Sequence, residues 1–226
     1  MFYSLIIPIY NEERTLPKLI DKLHKLNNKK IEIIIIDDGS DDGTKNILDN
    51  NNQFIIKHNE YNLGKGASIL KGLELASSKN IIIIDGDLEI DINDIPKLIL
   101  HYENDKSDVL TGIRWKGKFD YQNFDINKFG NYVINSIFNL VYETNFKDVL
   151  CCVKILDTKV FKSLDIQSHG FSIEVETMAK LILNGFTIKE KSIKYNRRTI
   201  QEGKKLKISD SWNIIWTIFW VRFFRN

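Results

Sequence analysis

Residues 81–91, IIIIDGDLEID, drive four consecutive isoleucines straight into Asp85, Asp87, Glu89 and Asp91, which fall on alternate positions. A short, continuous apolar run of this kind reads as a strand buried on both faces, the strand of a parallel sheet. A turn at its end needs one Asp or Asn and a Gly, not four carboxylates. Like charges this close repel, so a positive species is expected among them. Two readings stand at this point, a solvated turn and a cation site.

Working outward, β-branched runs recur at residues 4–7, 31–36, 54–57 and 109–111. Between them lie helical patterns. Leu16, Leu19, Ile20, Leu23 and Leu26 keep a 3.6-residue period, with Thr15 as N-cap and Pro17 in the first turn. Ile69, Leu70, Leu73, Leu75 and Ala76 form a second pattern, and Ile95, Leu98, Ile99 and Tyr102 a third. Apolar strands alternating with helices predict an α/β fold with a mostly parallel sheet covered on both faces. Ligands of such sheets sit beyond the carboxyl ends of the strands.

Every suspicious motif lies at such an end. PIYNEE (8–13) follows the first strand, DDGSDDGT (37–44) the second, NLGKGAS (62–68) the third and DGDLE (85–89) the fourth. DDGSDDGT also reads as a capped turn, and GKG ahead of a helix as a phosphate nest. A lone GxG is weak, and the full P-loop and dinucleotide patterns are absent. Order along one sheet edge is what turns four weak signals into a site, with acids able to hold a divalent cation beside amides and a lysine suited to a diphosphate.

The chain has 226 residues, enough for one domain with a sizeable core, and its 43% hydrophobic and 27% charged residues exclude a disordered or membrane-spanning class. The net charge of +2 hides an asymmetry: residues 189–226 carry ten Lys/Arg against three Asp/Glu. A basic end on an acidic body points to an anionic partner. Cys151 and Cys152 are adjacent, a spacing that strains a disulfide, so buried reduced thiols in a cytoplasmic protein are expected. The chain enters an apolar strand without a basic lead, and no leader peptide is expected.

These motifs, with TGIRW (111–115), DVLCCVK (148–154), GFSIEVETMAK (170–180) and EKSIKYNRRTIQEGKKL (190–206), resemble a family 2 glycosyltransferase of the GT-A fold. The branch is that of the dolichyl- and polyprenyl-phosphate sugar synthases. The resemblance implies a GT-A domain over residues 1–206 and an amphipathic, membrane-surface helix over 207–226. It implies that DGD is the DxD motif, with Asp87 and Glu89 on Mg²⁺ or Mn²⁺ and Asp85 on the donor ribose. Gly86 lies within the motif. Pro8, Tyr10, Glu12, Ile36 and Asp38 match positions around base and ribose, and Lys65 a position at phosphate or ribose. Arg114, Arg198 and Lys204 match cations that close on the diphosphate. Arg198 is preferred to Arg197 because its spacing to Lys204 fits the family. The partners implied are a nucleotide-sugar donor, a polyprenyl-phosphate acceptor and an anionic membrane surface, with no nucleic acid, and the location is peripheral at the inner face of the cytoplasmic membrane.

Glycosyl transfer passes through an oxocarbenium-like state, with the leaving group on one face and the nucleophile on the other. A sugar-hydroxyl acceptor would need a general base, for which Glu174 or Glu176 is the candidate, unless both are solvated helix positions. A lipid phosphate is already largely anionic, its second ionisation lying near ~6, and needs cations more than a base. The basic C-terminal region favours the lipid phosphate. A saccharide-hydroxyl transferase and a nucleotide-sugar binder without transferase activity remain the alternatives. Ser192 stands where the family has Pro, and Cys152 and Val153 replace a usual Gly or Tyr pair, both read as packing changes. The helical pattern over 127–142 fits a core helix or one near a membrane surface. Trp212, Trp216 and Trp220 recur at i, i+4 and i+8 beside Arg222 and Arg225. That tail is too short to span a bilayer, which needs ~20 apolar residues, and reads as an interfacial helix or one packed on protein.

Overall fold

The computed structural model describes residues 2–26, 30–114, 126–198 and 208–224. Trp115, Lys204 and Arg225 lie outside them. Seven strands form one sheet: β1 (Tyr3–Ile9), β2 (Ile31–Asp37), β3 (Ile55–His58), β4 (Asn80–Ile83), β5 (Val109–Ile113), β6 (Lys154–Asp157) and β7 (Ile188–Ser192). Their order is β3-β2-β1-β4-β6-β5-β7. All neighbouring pairs are parallel except those of β6, which runs against both β4 and β5. The helices are α1 (Leu16–Leu26), α2 (Thr44–Asp49), α3 (Lys65–Leu75), α4 (Ile95–Asn104), α5 (Ile126–Tyr142), α6 (Thr158–Ser163), α7 (Ile173–Leu183) and α8 (Ile208–Phe224).

The isoleucine runs divide between two cores by the two-residue period of a strand. Leu5, Ile7, Ile33, Ile35 and Ile82 join Leu16, Leu19 and Leu23 of α1 and Leu98 of α4 on one face. Ile6, Ile34, Ile36, Ile81 and Ile83 join Ile69 and Leu73 of α3, Phe161 of α6 and Leu181 of α7 on the other. The sheet is therefore covered on both sides, as its unbroken apolar strands demand. Burying each such side chain contributes about 1.5–3 kcal/mol.

β6 escaped the sequence reading because it is short and opens on a lysine. Its direction matters for the site. Ile83 pairs with Lys154 and Asn80 with Asp157, so β6 brings its first residue, not its last, to the edge where β4 ends.

A third core lies off the sheet. Ile134, Phe138 and Tyr142 of α5, Val175, Met178 and Ala179 of α7, and Ile214, Ile218 and Val221 of α8 pack together. The Tyr142 hydroxyl donates to the Ile218 carbonyl at 2.9 Å. The opposite side of α8 exposes Trp212, Trp216, Phe219 and Phe223, so the helix is apolar on both sides. No helix among the described residues is long and apolar enough to cross a membrane.

Candidate active site

The carboxyl ends of β1, β2, β3 and β4 all open on one edge, and the predicted motifs meet there. Two non-glycine residues at this edge take left-handed backbone, Asn11 (φ 49) and Leu88 (φ 61). Such conformations cost energy and gather at functional sites. Leu88 separates Asp87 from Glu89, within the acid loop itself.

The acid loop is bound to a segment more than a hundred residues later. Ile90 bridges Tyr195, Asn196 N–H donates to the Glu89 carbonyl at 2.7 Å, and Arg198 N–H donates to Glu89 Oε1 at 2.8 Å. The Tyr195 hydroxyl donates to Glu89 Oε2 at 2.8 Å. Arg198 is thereby delivered to the acids. Its Nη2 lies 3.4 Å from Asp87 Oδ2, and its two Nη atoms hold Glu12 at 2.8 and 3.0 Å. Glu12 is buried; its amide donates to the Thr44 hydroxyl at 2.8 Å, and the Thr15 hydroxyl donates to its carboxylate.

Asp87 feels the congestion. Burial, then the charges of Asp85 and Glu89, push its carboxyl up to about 7, against which Arg198 pulls it down. This is what an acid cluster looks like before a cation is added. Hard oxygen donors suit Mg²⁺ or Mn²⁺. No group of three or more His, Cys, Asp or Glu forms a closed metal cage among the described residues. A cation held by one or two carboxylates, with phosphate and water completing its shell, fits this donor set. Asp87 is the strongest candidate ligand. Glu89 sits beside it with both oxygens already accepting one hydrogen bond each.

The remaining predicted residues fall into place unevenly. Asp38 is buried and accepts from Asn59 Nδ2, Leu63 N and Gly64 N, each at 2.9 Å, so it shapes the loop entering α3. Pro8 and Ile36 are register partners at the end of β1 and β2. Ile36 is wholly buried, packed with core residues of α3. Tyr10 follows β1 directly, and Gly86 packs on Ile9. Arg114 directly follows β5 but grips the buried Asp148, donating from N, Nε and Nη2 at 2.9, 2.9 and 2.8 Å. Its guanidinium also lies 5.7 Å from the Tyr195 ring centroid, which ties it to the same assembly as Glu89.

Lys65 opens α3 and lies at the centre of the edge. Its Nζ is 2.6 Å from Asp85 and 2.8 Å from Glu174. Burial alone would lower its pKa; Asp85 and Glu174 more than offset this and keep the ammonium charged. Neither α7 acid is a solvated helix position. Glu174 is buried against Lys65 and Lys154, and Glu176, 0% exposed, accepts from Gln167 N at 2.9 Å and Ser168 N at 2.7 Å and pairs with Lys180 at 2.7 Å. Lys154 was missed from sequence. The available signal was a lysine set among CCV and IL, where a strand core admits no charge without a partner.

The loop at α3 is packed without slack. Gly64 (φ 98) and Gly66 lie on the chain at 168–169, where a Cβ would come within 2.5 Å of the His169 carbonyl oxygen and 2.1 Å of that of Ser168. Only glycine permits this approach. Ala67 N–H closes the contact, donating to the His169 carbonyl at 3.0 Å.

Comparison with known proteins bears on the family and the fold. An uncharacterised protein of Methanocaldococcus jannaschii is 32% identical over 210 residues, covering 86% of this chain and 89% of that one. Dodecaprenyl-phosphate galacturonate synthase of Rhizobium johnstonii is 25% identical over 235 residues, covering 98% of this chain and 66% of its own length. Dolichyl-phosphate beta-glucosyltransferase of Trichomonas vaginalis is 25% identical, with 92% and 69% covered. The chain thus spans about two thirds of these two relatives. Glucosyl-3-phosphoglycerate synthase of Mycobacterium tuberculosis, solved with Mn²⁺, UDP and phosphoglyceric acid, shares the fold with a TM-score of 0.77 at 17% identity, over 98% of this chain and 78% of that one. The model of glycosyl transferase family 2 matches residues 4–165, which run from β1 through the acid loop to the end of β6 and α6, and the chain belongs to that family.

Proposed function

We propose that this protein is an inverting, metal-dependent glycosyltransferase that moves a sugar from a nucleoside-diphosphate donor to a polyprenyl phosphate. One observation carries the reading: Asp85, Asp87 and Glu89 meet Lys65 and Arg198 at the carboxyl edge of the sheet. The names of the similar polyprenyl-phosphate transferases support it. A divalent cation bound at Asp87 and Glu89 would supply Lewis-acid stabilisation of the departing diphosphate.

The chain's own residues perform the rest. Pro8, Tyr10, Glu12, Asp38 and Asp85 border the place for base and ribose. Lys65 and Arg198 face the diphosphate, where charge-assisted contacts to the leaving group strengthen as negative charge develops. An acceptor phosphate oxygen attacks the anomeric carbon as the bond to the diphosphate breaks, and the configuration inverts. The phosphate arrives ionised, so no side chain has to take a proton from it. This suits an α7 whose two acids are both engaged in ion pairs.

The acceptor's lipid needs a surface to leave from. On α5, Phe129, Tyr132 and Leu140 are exposed, Leu140 at 81%, and on α8 Trp212 is 73% exposed. Aromatic residues beside Arg222 suit the headgroup region of an anionic leaflet. The free, buried Cys151 and Cys152 suit the reducing inner side. The direct test is an assay of radiolabelled UDP- and GDP-sugars with Mn²⁺ and a short polyprenyl phosphate. Label in the butanol-extractable lipid is the expected result, and label on free saccharides alone would transfer the assignment to a hydroxyl acceptor.

A further inference from the structure

One buried file of charges is left unexplained by the donor site. Lys154 is 1% exposed, a depth at which an ammonium survives only with partners. Its Nζ donates to the Cys151 carbonyl at 2.7 Å and to Glu174 Oε2. The other Glu174 oxygen lies 2.8 Å from Lys65 Nζ, and Lys65 reaches Asp85 at 2.6 Å. Cation and anion therefore alternate, Lys154, Glu174, Lys65, Asp85, from the interior of the sheet to the acid loop. The reversed direction of β6 makes this possible, since it sets Lys154 beside Ile83 at the end of β4.

The arrangement is poor for a base and good for an anchor. A general base works best when its pKa lies near the operating pH. Burial would raise that of Glu174, but Lys154 and Lys65 hold it below the usual carboxylate range. One oxygen accepts from Lys154, and the second lies at ion-pair distance from Lys65. Lys65 Nζ is held by its two ion pairs, and the start of its helix is held as well. Ala67 N–H is bonded to the His169 carbonyl, and Ser168 N–H is bonded to Glu176. Two acids spaced i, i+2 on α7 thus bear on one lysine, the first through its side chain and the second through the 167–169 segment packed against the start of α3.

We propose that Lys154 and Glu174 are positioning residues of the donor site: Lys154 orients Glu174, and Glu174 holds Lys65 where the diphosphate of the nucleotide sugar arrives. This rests on the donor reading above. Neither residue touches the donor; both act through Lys65.

A double-mutant cycle tests it on the full chain with Mn²⁺. Calorimetry measures UDP and GDP binding, and steady-state transfer to a short polyprenyl phosphate gives kcat and KM. Lys65→Met, Glu174→Gln and Lys154→Met should each weaken nucleotide binding and lower kcat/KM about tenfold, the loss divided between KM and kcat because Lys65 holds the diphosphate both before and as it leaves. The Lys65→Met/Glu174→Gln pair should be no worse than Lys65→Met alone within about twofold, because both changes remove one effect. If Lys154→Met does not fold, Lys154→Met/Glu174→Gln removes both buried charges together and should match Glu174→Gln. Effects of Lys65→Met and Glu174→Gln that multiply would overturn the inference. So would a Glu174→Gln enzyme with kcat lowered more than a hundredfold at unchanged KM, the behaviour of a lost base. Wild type binding neither nucleotide would remove the donor reading and this inference together, whereas binding with multiplied effects removes this inference alone.

Discussion

Arg198 holds Glu12 with both Nη atoms across 186 residues of chain, while its Nε is buried without a hydrogen-bond partner among the described residues. A buried guanidinium shared between Glu12 and Asp87 is a cation kept in place by acids, and on the proposed donor reading it would exchange part of these contacts for phosphate oxygens. Losing one charge-assisted contact costs ~1.5–3 kcal/mol. Arg198→Ala should therefore lower kcat/KM for lipid transfer roughly tenfold to a hundredfold. Lys204→Ala, outside the described residues, should act in the same direction. Radiolabel entering butanol-extractable lipid measures both, and an Arg198→Ala enzyme at wild-type efficiency would reject the contact with donor.

The second prediction concerns the cation. Asp87→Ala should abolish transfer while leaving the circular dichroism spectrum unchanged. EDTA should weaken wild-type UDP- or GDP-sugar binding in calorimetry. Since the Asp87 carboxyl of the metal-free protein sits at about 7, protons and Mn²⁺ compete for it, and Mn²⁺ affinity should rise as the pH goes from 6 to 8. Donor affinity that is the same with and without metal would rule this role out.

The same carboxyl makes a statement about stability. Its folded pKa lies above the ordinary 3.8, so the folded metal-free protein binds more protons than the unfolded chain between about pH 4 and 7. The stabilisation is present below that window and is lost as pH rises through 7. Melting temperature in EDTA should fall from pH 5.5 to 7.5 more steeply for wild type than for Asp87→Asn. Parallel curves for the two proteins would contradict the assignment of the shift.

A fourth prediction separates surface from core on α8. Trp212→Gln/Trp216→Gln/Phe223→Gln changes only exposed side chains and should release the protein from anionic liposomes in a sedimentation assay, with its melting temperature nearly unchanged. Ile218→Ala empties a site that is 0% exposed, and should cost about 2–5 kcal/mol with liposome binding retained. Undiminished sedimentation of the triple variant would assign the exposed face to another partner.

The parallel half of the fold could be read from sequence because each of its strands is an isoleucine run ending in a motif. Residues 31–36 and 81–84 needed no tertiary information to declare themselves buried. β6 and β7 could not be read this way. Lys154 begins one, Lys189, Glu190 and Lys191 fill the other, and only their partners explain those residues. The acid loop was likewise readable, while the duties of its neighbours were not. Arg114 is spent on Asp148, Asp38 on three donors of the α3 loop, and Glu174 on two lysines, all contacts made across long stretches of chain.

The two outermost strands decide what the sheet does in company. An exposed edge of isoleucine-rich strand would recruit other chains by backbone pairing. Here the most buried strands are interior, and the rims are β3, four residues long and ending in Lys57 and His58, and β7, with its two lysines and a glutamate. Lys191 is further tied to Asp105 at 3.0 Å. The isoleucine runs at residues 33–36 and 81–84, of the kind that pair edge to edge when bared, are thus shielded by nine rim residues. Loss of β7 would bare β5, VLTGI, which is buried at every position, and turn a folded enzyme into a template for aggregation.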